Sequence, residues 1–170
     1  MLLIDTLPKG SPEAVVAEKV LGERYADLHT IHTDGLEIRP CVGCNFCWLK
    51  TPGICVHKDD YVEIFKKMLL AEAVWVLTDT KFGIAGYQTK RLFDRIVPML
   101  TMQLEFRGGY MRHVLRYDAC PDFGLIYRGE GDAGLLAEWM ERVAMNMDSR
   151  SLGVYSVEHL EEGISCIQSS

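Results

Sequence analysis

Residues 73–78, AVWVLT, form an unbroken run of apolar and β-branched side chains. A strand of this kind has no polar face to give to water, so it belongs in the middle of a parallel sheet with helices over both faces. The remaining chain must therefore supply further strands beside it and helices above and below it. Short apolar runs recur at the start (MLLIDT), at 123–127 (FGLIY) and at 152–157 (LGVYSV), with a weaker, partly alternating one at 25–33. Between them, apolar residues fall at helical spacing.

The first helix is predicted to open with Ser11 as N-cap and Pro12 at its first position, to carry Val16 and Val20 on one face, and to stop at Gly22. Asp60 and Glu63 form a capping box for a helix through Ala71, with Val62, Phe65 and Leu69 on its face. A third helix from Tyr87, with Leu92, Phe93, Ile96 and Leu100 on one side, runs past Pro98, which should kink it or end its first part. A fourth, over 132–148, carries Leu136, Met140, Val143 and Met147. Strands alternating with helices of this length imply right-handed crossovers. The predicted fold is α/β, a flavodoxin-like three-layer sandwich around a five-stranded parallel sheet of order 2-1-3-4-5. The 170 residues suit a single domain, 1–170, with a cysteine-rich loop at 39–59 and an excursion at 103–122, where Gly108 and Gly109 mark a turn or hairpin.

Composition narrows the function. With 48% hydrophobic and 25% charged residues, the chain is of globular type. A net charge of −6 without any run of basic residues gives no footprint for nucleic acid. The longest apolar stretch, MLLAEAVWVLT, is too short for a bilayer and contains Glu72, and the N-terminus lacks the pattern of a signal peptide. The expectation is a cytoplasmic chain with no membrane partner. There thiols stay reduced, so the six cysteines are metal-binding, redox-active or packed rather than disulfide-bonded. No Gly-x-Ser-x-Gly elbow, Walker loop or His-Glu-x-x-His pattern is present.

In sheets of this class, ligands bind beyond the carboxyl ends of the strands. The loops to watch are 6–11, 39–59, 78–87 and 116–122. The second holds CVGCNFCWLKTPGIC, in which Cys41, Cys44 and Cys47 follow each other at C-x2-C spacing and the Pro52, Gly53 turn can fold Cys55 back to them. Four thiolates are what an iron–sulfur cluster requires. Structural zinc more often takes two separated knuckles, so it fits less well. The competing reading is packing of small, soft side chains against Phe46 and Trp48.

Three stretches, IRPCVGCNFCWLKTPGICVHKDD, AVWVLTDTKFGIAGYQTKRLFDR and GGYMRHVLRY, resemble the NADPH-dependent FMN reductase group of the flavodoxin superfamily, in particular its branch similar to iron–sulfur flavoproteins. The cysteine block followed by Asp59 and Asp60 is the most specific part of the resemblance, and Lys90, Asp94 and Arg95 after the buried strand come second. The resemblance implies FMN on the carboxyl edge of the sheet, with its phosphate at Thr6, Pro8, Lys9, Gly10 and Ser11. It places the isoalloxazine ring against Thr78, Asp79, Thr80, Lys81, Phe82 and Gly83, with Phe82 packed on it. It also implies NAD(P)H as reductant; the group's cysteine motif can hold a [4Fe–4S] cluster, here on Cys41, Cys44, Cys47 and Cys55, although many members carry flavin without one. The chain departs from the group's pattern in DTLPKGSPEAVV, which offers fewer hydroxyl and amide donors and sets Glu13 where it would repel a phosphate, an effect Lys9 offsets. Asp79, Thr80 and Lys81 are a second departure, standing where the group tends to have a proline and an aromatic residue.

Elsewhere the plainer reading is preferred. Asp94 and Arg95 are expected to be solvated charges on an exposed helix face. His113 and Tyr117 are expected to pack or bond to backbone, and His57 to lie at the surface. Met99, Met102, Phe106, Tyr110 and Met111 suggest a partner surface, consistent with a homo-oligomer, dimer or tetramer. Cys120 and Cys166 receive no role. The leading function is an FMN-dependent oxidoreductase moving electrons from NAD(P)H or a protein donor to a small-molecule or protein acceptor. The alternatives are a flavodoxin-like binding or regulatory protein that has lost flavin, and a cysteine-ligated iron–sulfur or zinc electron-transfer protein.

Overall fold

The computed structural model describes residues 1–165, so Cys166 and the rest of the tail lie outside it. In chain order the elements are β1 (Leu2–Asp5), α1 (Pro12–Arg24), β2 (His29–His32), α2 (Phe46–Leu49), α3 (Tyr61–Leu70), β3 (Ala73–Lys81), β4 (Ile84–Ala85), α4 (Tyr87–Asp94), β5 (Leu100–Arg107), β6 (Tyr110–Leu115), β7 (Asp122–Arg128), α5 (Ala133–Asn146), β8 (Ser151–Ser156) and α6 (Leu160–Ser165).

Five parallel strands pair in the order β2-β1-β3-β7-β8. This is the predicted 2-1-3-4-5 arrangement once β4 and the β5–β6 hairpin are set aside as additions. The central strand is β3, and its residues 73–78 are all buried. Alternation along the strands sorts the core into two layers. Leu2, Ile4, Val74, Val76, Phe123 and Leu125 face α3, α4 and α5 through Ile64, Met68, Leu92, Phe93 and Met140. Leu3, Trp75, Leu77 and Ile126 face α1 and α6 through Ala17, Leu21, Leu160 and Ile164. Gly124 is fixed by this packing, because a Cβ there would lie 2.4 Å from the Trp75 ring.

Several boundaries differ from the sequence reading. Helix α1 runs past Gly22 to Arg24, since a single glycine in a buried helix costs only about 1 kcal/mol. The capping box at Asp60 does not form. Its carboxylate instead accepts from the Glu37 N–H at 2.7 Å, and no side chain caps α3. Strand β3 continues beyond 78 to Lys81, so the expected loop at 78–83 is a hairpin in which Thr80 pairs with Ala85 and Lys81 with Ile84. Helix α4 stops at Asp94, four residues before Pro98, so Ile96 lies beyond it and Leu100 opens β5, while Pro98 sits within a short 3₁₀ turn at 97–99. Gly108 and Gly109 do turn a hairpin, but its first strand starts at Leu100. Among the described residues, no helix is long and apolar enough to cross a membrane.

Candidate functional site

Two groups of candidate residues lie at the carboxyl edge of the sheet, and α4 joins them. The first is the β1–α1 loop. Asp5, 1% exposed, ends β1 and turns its carboxylate into the loop, accepting from the Leu7 N–H at 2.9 Å while His32 Nδ1 bonds its other oxygen at 2.9 Å. Asp34 accepts from the Lys9 N–H at 2.8 Å. Two of the loop's amides are thus occupied by carboxylates of the chain itself, and the Ser11 N–H donates to the Pro8 carbonyl at 3.2 Å. Gly10 sits at φ +82° with open space around it. Ser11, at the N-cap, makes no capping bond, and its Oγ is buried without a hydrogen-bond partner among the described residues. A hydroxyl buried and unpaired costs about 1–3 kcal/mol, so this atom is suited to a ligand oxygen. Glu13 is drawn away from the loop toward β7, with Arg128 Nη1 at 3.4 Å from its carboxylate oxygens, so Arg128 rather than Lys9 offsets its charge.

Thr6 and Thr78 face inward. With Thr89 of α4 they form a buried chain of hydroxyls: Thr6 Oγ1 donates to the Leu77 carbonyl at 2.8 Å and lies 2.9 Å from Thr89 Oγ1, which donates to Thr78 Oγ1 at 2.8 Å. Thr78 donates in turn to the Asp79 carbonyl at 2.8 Å. These hydroxyls fasten α4 to β1 and β3. Asp79 packs over Gly86 at the start of α4, and Thr80 Oγ1 donates to the Arg128 carbonyl at 3.0 Å. At the hairpin tip Phe82 and Gly83 both have positive φ, 53° and 81°. That pair matches a type I′ turn, and the phenylalanine there is a backbone outlier. The Phe82 side chain is fully exposed and packs on nothing. Beside the hairpin, a cleft of about 220 Å³ is lined by Ile84, Ala85, Lys90, Leu135, Leu136 and Trp139. A larger cavity, about 780 Å³, opens at the other end of the sheet around Met1, Glu72, Asp122 and Arg150, away from these loops.

The second group is the cysteine loop. Its neck is closed by the two aspartates that follow the cysteines. Asp60 exchanges bonds with Glu37 (2.7 and 3.1 Å), and Asp59 accepts from the Arg39 N–H at 2.8 Å. Arg95 and Arg91, from α4, donate to the carbonyls of Arg39 and Ile38. Arg95 is therefore not a solvated charge beside Asp94. Its partner is Asp59 at 2.6 Å, with side-chain exposures of 0% and 2%, and its guanidinium lies 4.3 Å from the centre of the Tyr61 ring. Asp94 pairs instead with Lys90 on the exposed side of α4. Burial alone would raise the Asp59 pKa, but the bonds from Arg95 and the Arg39 amide and the charges of Arg95 and His57 hold it below the usual value.

Inside the loop, the turn at 51–54 brings the Gly53 N–H to the Cys47 carbonyl at 2.9 Å, folding Cys55 back as the spacing suggested. Trp48 anchors the segment, donating to the Val97 carbonyl at 3.1 Å and packing on His113 with ring centres 4.8 Å apart. The packing role expected of His113 is met. His57 is half-buried rather than at the surface, and its Nε2 is enclosed without a partner among the described residues.

Cys41 and Cys44 are exposed and Cys47 and Cys55 half-buried, all as free thiols. Cysteines kept only for packing are among the most buried residues, so this placement does not fit that reading. The thiols share one field: burial, then Cys55, Cys41 and, less strongly, Cys44, push the Cys47 thiol up. Among the described residues no three ligand-type side chains are close enough to hold a single metal ion.

No family model matches the chain. An iron–sulfur flavoprotein of Methanocaldococcus jannaschii is 34% identical over 94 residues, which are 54% of this chain and 48% of that protein. The chain spans under half the length of the curated relatives it matches. Among solved structures, flavone reductase superposes with a TM-score of 0.61 at 13% identity over 99% of this chain and 65% of its own. The chain has a flavodoxin-like fold. Azoreductase from Bacillus anthracis, with a TM-score of 0.58 and 10% identity, matches over 96% of this chain and 92% of its own.

Proposed function

We propose that the protein is an FMN-dependent oxidoreductase that takes electrons from NAD(P)H or a protein donor and passes them to a small-molecule or protein acceptor, with a [4Fe–4S] cluster on Cys41, Cys44, Cys47 and Cys55. The observation that carries the flavin reading is Ser11 Oγ, buried and without a partner among the described residues at the head of a 13-residue helix. Free N–H groups and the helix dipole favour a phosphate at that position. Lys9, Gly10 and Ser11 would hold it. Phe82, strained and exposed at the tip of the β3–β4 hairpin, offers a flat apolar face to the ring, and the cleft lined by Leu135 and Trp139 continues that surface. Bound FMN would supply the electron chemistry, accepting hydride from a reduced nicotinamide.

Helix α4 relates the two centres. Within it Thr89 is bonded to Thr6 and Thr78 and Arg91 to the Ile38 carbonyl at the neck of the cysteine loop, and Arg95 follows its last residue. This shared support favours two centres held at a fixed separation. The names of the sequence relatives, iron–sulfur flavoproteins, and of the structural neighbours, reductases, support this reading. The exposed apolar face of the β5–β6 hairpin, with Met102, Leu104, Phe106 and Met111 each more than half exposed, supports a homo-oligomer.

The test is the absorption spectrum of protein purified without oxygen, with iron, sulfide and flavin assayed. Flavin bands that bleach with NADH or NADPH, over broad absorption that disappears in Cys44→Ser, are the expected result. A colourless protein that binds neither added FMN nor iron would contradict it.

A further inference from the structure

Arg95 is more than a partner for Asp59. One nitrogen, Nη1, donates both to Asp59 Oδ2 at 2.6 Å and to the Arg39 carbonyl at 3.0 Å. The guanidinium faces the Tyr61 ring. Its other two nitrogens, Nε and Nη2, are buried and have no acceptor at hydrogen-bonding distance among the described residues. An ion pair with Asp59 does not need those donors, and leaving them unpaired costs about 1–3 kcal/mol or more each. The guanidinium ties together the two ends of the cysteine loop, since Arg39 stands two residues before Cys41 and Asp59 four residues after Cys55.

We propose that Arg95 is a positioning residue for the cysteine site, its free donors serving the sulfur anions of the loop whose two ends it holds when the four cysteines carry an iron–sulfur cluster. The inference rests on the cluster reading given above. It adds that a cation sealed beneath the loop sets the electron affinity of the centre. Hydrogen bonds to ligand sulfur, local charge and burial are the means by which a protein tunes such a cluster. A cation near the site favours the state carrying one more electron, and Asp59, bonded to the same guanidinium, partly cancels it. Arg95 and Asp59 therefore act with opposite sign, although they belong to one ion pair.

That opposition separates tuning from a purely structural role. The full chain is loaded anaerobically with ferrous iron and sulfide, and the cluster's midpoint potential is measured by optical and electron paramagnetic resonance titration in wild type, Arg95→Gln and Asp59→Asn. The expected result is a shift to more negative potential in Arg95→Gln and to more positive potential in Asp59→Asn. Shifts of the same sign, or none in either, would show that the pair only holds the loop and would overturn the proposal. Should Arg95→Gln fail to fold, Arg95→Lys takes its place. The ammonium keeps the charge but not the fork, so a smaller negative shift is expected and an unchanged potential overturns the proposal. A wild-type protein that takes up no cluster would overturn both this proposal and the cluster reading. A cluster indifferent to these substitutions would overturn this proposal alone.

Discussion

Replacing Arg95 with methionine removes the cation of a sealed ion pair and leaves the Asp59 carboxylate, 2% exposed, with the Arg39 N–H at 2.8 Å as its one remaining hydrogen bond among the described residues. Breaking a buried pair by deleting one partner costs about 3–5 kcal/mol, because the remaining charge is desolvated and uncompensated. The exposed pair on the same helix provides the control. Lys90 and Asp94 are 57% and 45% exposed, so Lys90→Met should cost under about 0.5 kcal/mol. With a urea slope of about 2 kcal/mol/M, Arg95→Met lowers the unfolding midpoint by about 1.5–2.5 M, while Lys90→Met moves it by about 0.25 M or less. Circular dichroism in urea measures both. Changing Asp59 to leucine in the Arg95→Met background should recover part of the loss, since no charge is then left buried. The reasoning fails if Arg95→Met costs less than about 1 kcal/mol, or if the two single variants cost the same.

Three further outcomes follow from particular contacts. Because the Asp59 carboxyl titrates below its ordinary value, its contribution to stability is complete above the unfolded pKa of about 3.9 and is lost as pH falls through the lower folded value; acid unfolding of Asp59→Asn should lack this component. Gly124→Ala forces a Cβ to within 2.4 Å of the Trp75 ring in the central sheet and should cost about 1–3 kcal/mol, read as a lower thermal midpoint. Phe82→Asp should leave stability unchanged within about 0.5 kcal/mol, because the ring touches nothing, yet should reduce retained flavin, measured after gel filtration.

The central architecture was legible because period and burial agree along β3 and its neighbours. AVWVLT has only one stable environment, and the helices over it announce themselves through residues such as Leu92, Phe93 and Met140, all of which are buried. The cysteine loop was legible as a unit, and Asp59 and Asp60 were recognised as part of it, but not as the clasp that closes its neck. That role depends on bonds to Glu37 and Arg39, about twenty residues away, which no local pattern records. Arg95 was misread for the same reason. Its partner is 36 residues upstream, and a charge at a helix end is usually solvated. A signal was present, since Arg95 follows Leu92 by three residues and precedes Ile96, on the face that turns inward. The 78–83 segment was taken for a loop because a Phe-Gly pair is an unusual hairpin turn, and the positive φ of Phe82 shows why.

The most direct test is a titration of the flavin-free protein with FMN and with riboflavin, followed by fluorescence quenching, in wild type and Ser11→Ala. If the head of α1 holds the phosphate through Ser11 Oγ, wild type binds FMN more tightly than riboflavin. Ser11→Ala should then lose about 10- to 100-fold in FMN affinity, the worth of a hydrogen bond to a charged group, while riboflavin binding stays unchanged. Equal affinities for the two flavins, or a Ser11→Ala protein that binds FMN like wild type, would contradict the account.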